Sequence, residues 1–151
     1  MGPRSALPVL GCLLMALAGC GREEEARLPA ACFQGEQAVR EALRSAPQVV
    51  RLDGTTPLSS CLDETSDSGE LREVGTALLD SAAGLSAAAA EQPNGPEATQ
   101  LGYLIGATRR RAVPDEGVNG EMARRLEQEL LRVETGSEAL RRGLSAGRAG
   151  G

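Results

Sequence analysis

Cysteines at positions 12, 20, 32 and 61 are the most reactive side chains here, because the chain has no histidine. Without an imidazole, the commonest general base near neutral pH is missing. Serines abound, yet none sits in a G-x-S-x-G turn between a strand and a helix. Neither a glycine-rich phosphate loop nor a His/Cys zinc cluster is present. No catalytic residue, no cofactor and no metal are therefore assigned. One acidic run, Asp63-Glu64-Thr65-Ser66-Asp67-Ser68-Gly69, alternates acids like the start of a calcium loop. Such a loop wants glycine at its sixth place and a bidentate glutamate at its twelfth. Ser68 and Val74 stand there instead, so the run reads as the acidic approach to a helix N-terminus. Arg109-Arg110-Arg111 has two readings. Cations complement the dipole at a helix C-terminus; alternatively, three adjacent guanidiniums form a site for anionic headgroups or a cell-wall polymer.

The opening residues bear on where such chemistry would operate. Met1-Gly2-Pro3-Arg4 supplies one cation, and an apolar run follows from Ser5 to Gly19. That run falls short of the ~20 residues a helix needs to span a bilayer. A positive start, a short apolar stretch and small residues before a cut are the grammar of a secretory signal. Leu17-Ala18-Gly19-Cys20 resembles the lipobox of bacterial lipoprotein precursors. The resemblance implies that lipid is attached to the Cys20 thiol and that residues 1–19 are then removed. The protein would be exported and lipid-anchored at the cell membrane or outer envelope. An ordinary secretory cut after Ala18 stays open, since Ala16-Leu17-Ala18 also fits A-x-A. Residues 20–30, with charged Gly21 to Arg27, read as a lipidated tether.

Without residues 1–19, the chain keeps 15 arginines against 21 acids, a net charge of −6. With Phe33 and Tyr103 as its only aromatics, such an acidic chain makes a poor nucleic-acid binder. The charge is uneven: residues 20–97 carry −8 and residues 98–151 carry +2. Complementary helix faces explain this, or else a basic C-terminal face. Cys12 lies in the signal and Cys20 takes the lipid, which leaves Cys32 and Cys61. Two such cysteines in an oxidising compartment favour a disulfide over a redox pair, which would read C-x-x-C.

Periodicity then fills in the scaffold. A first helix is expected over residues 31–46, ended by Pro47. Residues 48–54 look extended but lack an obvious partner strand. Thr56-Pro57 reads as an N-cap with proline at the first position of a short helix. Asp67 and Glu70 form a capping box opening a helix with an apolar stripe of Leu71, Val74, Leu78, Ala82, Leu85 and Ala89. Asn94 with Glu97 should cap a helix over 96–112, burying Leu101, Leu104, Ile105 and Thr108. The last helix, 118–134, presents Val118, Met122, Leu126, Leu130 and Val133, with Glu121–Arg125 and Arg125–Glu129 pairs on its wet side. Residues 138–144 read as a frayed continuation and 145–151 as a disordered tail.

The expectation is an all-α fold, a small antiparallel bundle of about four helices with one disulfide, over residues 31–144. Gly102-x-x-x-Gly106 should let its helix approach the Ala-rich helix around Ala82 to Ala89. "LGYLIGATRRR", after a cysteine pair and an Ala-rich helix, resembles small uncharacterised lipoproteins of high-GC bacteria, a family with no activity to carry over. The function expected is a non-catalytic binding or structural module. Its partners would be the membrane, through Cys20, and an unknown envelope protein or polymer. The rivals are an envelope enzyme using paired carboxylates and a secreted small-ligand carrier.

Overall fold

The computed structural model describes Gly2 and residues 27–62, 68–112 and 117–151. The lipobox-like residues Leu17 to Cys20, Cys12 and most of the acidic run lie outside the described residues. Among the described residues the architecture is all-α: five α-helices and one two-stranded hairpin around an apolar core.

The first helical stretch is split. A 3₁₀ turn, Ala30–Phe33, precedes α1, Gly35–Leu43. Gly35 has φ +80°, a left-handed backbone that no regular helix can pass through. Residues 28–30 belong to the domain rather than to the tether. Leu28 is buried, and its N–H donates to Glu70 Oε2 at 3.0 Å. α1 buries Val39 and Leu43 and carries the Glu36–Arg40 pair at 3.6 Å.

The extended stretch does have a partner. β1, Arg51–Leu52, pairs antiparallel with β2, Thr56–Pro57, in the register Arg51↔Pro57 and Leu52↔Thr56. Thr56-Pro57 is therefore a strand and not a helix start; the 3₁₀ turn Leu58–Leu62 follows it. The hairpin turns at Asp53 (φ 51°) and Gly54 (φ 75°), the two left-handed positions of a tight hairpin. Asp53 Oδ1 accepts from Thr55 N (3.1 Å), Thr55 Oγ1 (2.8 Å) and Thr56 N (2.9 Å), which fixes that turn. Cys32 and Cys61 form a disulfide with their Cα atoms 5.5 Å apart.

α2, Ser68–Glu91, buries the expected stripe of Leu71, Val74, Leu78, Ala82, Leu85 and Ala89. After a turn at residues 92–95, α3 runs Pro96–Arg111. Gly95, not Asn94, is its N-cap, and Pro96 starts the first turn. Every residue from Leu101 to Thr108 is buried, so α3 is the central helix. Tyr103, fully buried, accepts the Val50 N–H at 3.1 Å and ties the hairpin to the core.

α4, Gly117–Gln128, buries Met122 and Leu126, then tightens into a 3₁₀ turn, Glu129–Arg132. Val118, Leu130 and Val133 are only half-buried. Glu121 pairs with Arg125 at 2.8 Å as expected, but Glu129 turns inward and accepts the Ser86 hydroxyl at 2.5 Å.

The C-terminal segment departs most from the sequence reading. Residues 138–144 are not frayed, and 145–151 are not a disordered tail. α5, Glu138–Gly150, is a regular helix whose Ser137 N-cap side chain accepts the Leu140 N–H. It packs on α3 through glycine. A Cβ on Gly102 or Gly106 would overlap the carbonyl oxygen of Leu140 or Leu144. One on Gly143 or Gly147 would overlap that of Thr99 or Tyr103. Both helices thus present GxxxG to each other, and they run parallel, since 99 meets 143 and 103 meets 147. The Gly102–Gly106 stripe faces α5, not the Ala-rich part of α2. Backbones in contact come closer than the 8–10 Å of ordinary helix pairs, and Cα–H···O contacts add to the cohesion.

Candidate functional site

Three places could carry function: the N-terminal segment around Leu28, the arginine triple and the open grooves. The described N-terminal segment begins at Arg27, and Leu28 is pinned to the first turn of α2 through Glu70. Four residues on, Cys32 begins the covalent link to Cys61, both 1% exposed. Cys20 and the stretch expected to act as a tether lie outside the described residues.

The arginine triple is divided among different tasks. Arg109 Nε donates to Glu127 Oε1 at 2.6 Å, clamping α3 to α4. Arg110 Nη1 donates to the carbonyls of Arg148 (3.4 Å), Ala149 (2.8 Å) and Gly151 (3.2 Å). Two parallel helices bring two negative dipole ends together, and the Arg110 guanidinium lies at that junction. Arg111 is exposed at the end of α3. The three guanidiniums do not converge on one point. The signal that could have suggested this is the second GxxxG, Gly143 to Gly147, which sets α5 beside α3.

One groove, about 570 Å³, lies between α2 and α4 and is walled by Leu71, Leu79, Val118 and Met122. Gly75 forms its floor against Met122, and Arg72, Glu121 and Arg125 stand at its rim. Glu121 is held below the ordinary carboxylate value by its hydrogen bond from Arg125 and by the charge of Arg124. A second groove, about 510 Å³, runs between α1 and the hairpin, with Glu41 and Asp53 among its lining residues. Glu41 is ion-paired to Arg44 at 2.8 Å, and Asp53 is occupied by its own turn. The hydrogen bonds from Thr56 N–H, then from the Thr55 hydroxyl and N–H, hold Asp53 below its usual value. A third, polar cleft contains Glu36, Glu41 and Glu97 together with Arg40 and Arg44.

Asn119 is fully buried; its Nδ2 donates to the Leu62 carbonyl at 2.8 Å, and its Oδ1 has no partner among the described residues. Among the described residues no cluster of three His, Cys, Asp or Glu is placed to hold a metal. No helix among them is long and apolar enough to cross a membrane. No protein-family model, curated protein or solved structure matches this chain.

Proposed function

We propose that this chain is a lipid-anchored protein of the cell envelope, with a helical domain that serves as a non-catalytic binding or structural module. The observation that carries the reading is Leu17-Ala18-Gly19-Cys20, placed where a short apolar run ends. The buried Cys32–Cys61 bridge supports it, because disulfides of this kind persist in oxidising compartments. So does the charged stretch of residues 21–27, which has the composition of a solvated spacer.

Metabolic labelling with an alkyne-bearing palmitate tests the reading. Wild-type protein should take up label and sediment with membranes. Cys20→Ala should lose the label and either leave the membrane fraction or accumulate as uncleaved precursor. Normal maturation and retention of that variant would refute the lipobox assignment.

The α2–α4 groove favours one second reading, a small-ligand carrier, since about 570 Å³ falls in the 300–1,000 Å³ range of ligand sites. Gly75→Leu would fill its floor. A carrier should then lose its ligand while keeping its fold.

A further inference from the structure

The groove between α2 and α4 joins an apolar bed to positive charge at one end. Its α2 wall runs from Leu71 to Leu79 and its α4 wall from Gly117 to Arg125. Eight helical rises make a trough about 12 Å long. Gly75 faces Met122 and Ser86 meets Glu129, so the two helices run the same way, and both first turns lie at one end of the trough. The N-terminal dipoles favour an anion there, and Arg72 lies in the wall at that end. Among the described residues no carboxylate pairs with Arg72. Glu121 is the one acid of the lining, and Arg124 and Arg125 already hold it at 2.6 and 2.8 Å. The bed itself asks for no hydrogen bonds. Leu71, Leu79, Val118 and Met122 are apolar, and the Thr76 hydroxyl is turned back to the Arg72 carbonyl at 3.1 Å.

We propose that this groove binds a medium-chain fatty acid, its alkyl chain laid along Gly75 and Met122 and its carboxylate at the Arg72 end. The proposal rests on the carrier reading of the same groove and names the ligand. An extended chain gains about 1.2 Å per bond, so about ten carbons fill the trough. A sugar or an extended peptide would bury hydroxyls, or N–H and C=O groups, against walls that hold no partner for them. An alkyl chain has none to bury, and the flexible thioether of Met122 adapts to its bends. Charge then selects the head. A cationic amphiphile would set its head beside Arg72 and two positive helix ends, where it is repelled; a carboxylate is drawn in.

The test uses the full chain as Cys20→Ser, so that no acyl chain of its own competes, oxidised at Cys32 and Cys61 and isotope-labelled at its methionine methyls. It is titrated near neutral pH with decanoate, decanol and decylammonium, each below its micelle-forming concentration. The Met122 methyl signal, identified by its loss in Met122→Leu, reports occupancy of the groove floor. It should shift saturably with decanoate, and decanol and decylammonium should bind at least about three-fold more weakly. Arg72→Gln should cost decanoate about three-fold, within the range of one exposed charge pair, and leave decanol unchanged. Gly75→Leu should abolish the saturable shifts while the helical circular dichroism spectrum is kept. No saturable shift with any of the three ligands removes the carrier reading and the fatty acid with it. Saturable binding in which decanol or decylammonium matches decanoate, or in which Arg72→Gln changes nothing, keeps a carrier and overturns the fatty acid. Decanoate binding that survives Gly75→Leu places the ligand elsewhere and overturns both.

Discussion

Gly143 lies directly against the carbonyl oxygen of Thr99, so close that even a methyl group on Gly143 would overlap it. The contact is backbone to backbone, and no side-chain rotation can relieve it. Gly143→Ala and Gly106→Ala should therefore destabilise the domain by about 1–3 kcal/mol, the usual cost of overpacking, despite alanine's better helix propensity. Gly136→Ala, with nothing within 4 Å, is the matched control and should be neutral or slightly stabilising. Thermal unfolding followed by circular dichroism reads all three. An unchanged midpoint for Gly143→Ala would mean that α5 is not seated on α3.

The Cys32–Cys61 bridge closes a loop with a sequence separation of 29. In the chain-entropy model such a loop contributes about 3.5 kcal/mol. Cys61→Ser should lower the urea midpoint accordingly, and mass spectrometry after alkylation without reductant should find no free thiol at Cys32 or Cys61 in wild-type protein. Two labelled thiols would remove the staple.

Asp53 gives the hairpin a pH dependence whose sign is fixed. Its carboxyl is depressed in the folded state, chiefly by the Thr56 N–H and then by Thr55. Its stabilisation is therefore complete above the unfolded pKa and is lost as pH falls through the folded one. Asp53→Asn tolerates the left-handed backbone and keeps an acceptor oxygen, but does not titrate. Wild-type protein should be the more stable at neutral pH, and the gap should close as pH drops below 3.8, the ordinary aspartate value. A gap that persists in acid would assign the effect to shape rather than charge.

Arg110→Ala should free the last turn of α5. Three carbonyls lose a charged donor, which is worth on the order of 1 kcal/mol at an exposed helix end. Hydrogen exchange of the amides at 147–151 should accelerate while those of α1 do not change. Equal protection in both proteins would show that the arginine does not cap that end.

How legible these features were in the sequence depended on the kind of signal each leaves. The α2 stripe from Leu71 to Ala89 and the α3 core residues Leu101, Leu104, Ile105 and Thr108 are spaced by large apolar or buried side chains, and periodicity finds them. α5 buries glycine, which has no side chain to register as apolar, so its contact face looks like a flexible tail. The second GxxxG was visible, but pairing it with Gly102 and Gly106 required knowing that α3 and α5 run parallel. The hairpin leaves little trace for another reason. Asp53-Gly54 is a strong turn signal, but its strands are two residues each, too short to show alternation. Of the candidate site residues, Cys32 and Cys61 are legible by elimination, once Cys12 is given to the signal and Cys20 to the lipid. The separate fates of Arg109, Arg110 and Arg111 depend on tertiary neighbours that no local pattern encodes.

The position of the disulfide also decides how the domain would bear a mechanical load. Tension applied to the chain upstream of Leu28 first meets the hydrogen bond to Glu70 and then Cys32. From there the covalent bridge carries the force straight to Cys61, bypassing residues 33–60. α1 and the hairpin lie inside that bypass, so a pull on the N-terminal side cannot peel them off one residue at a time. The load passes instead to Cys61, near the end of the 3₁₀ turn Leu58–Leu62, and to the chain beyond it.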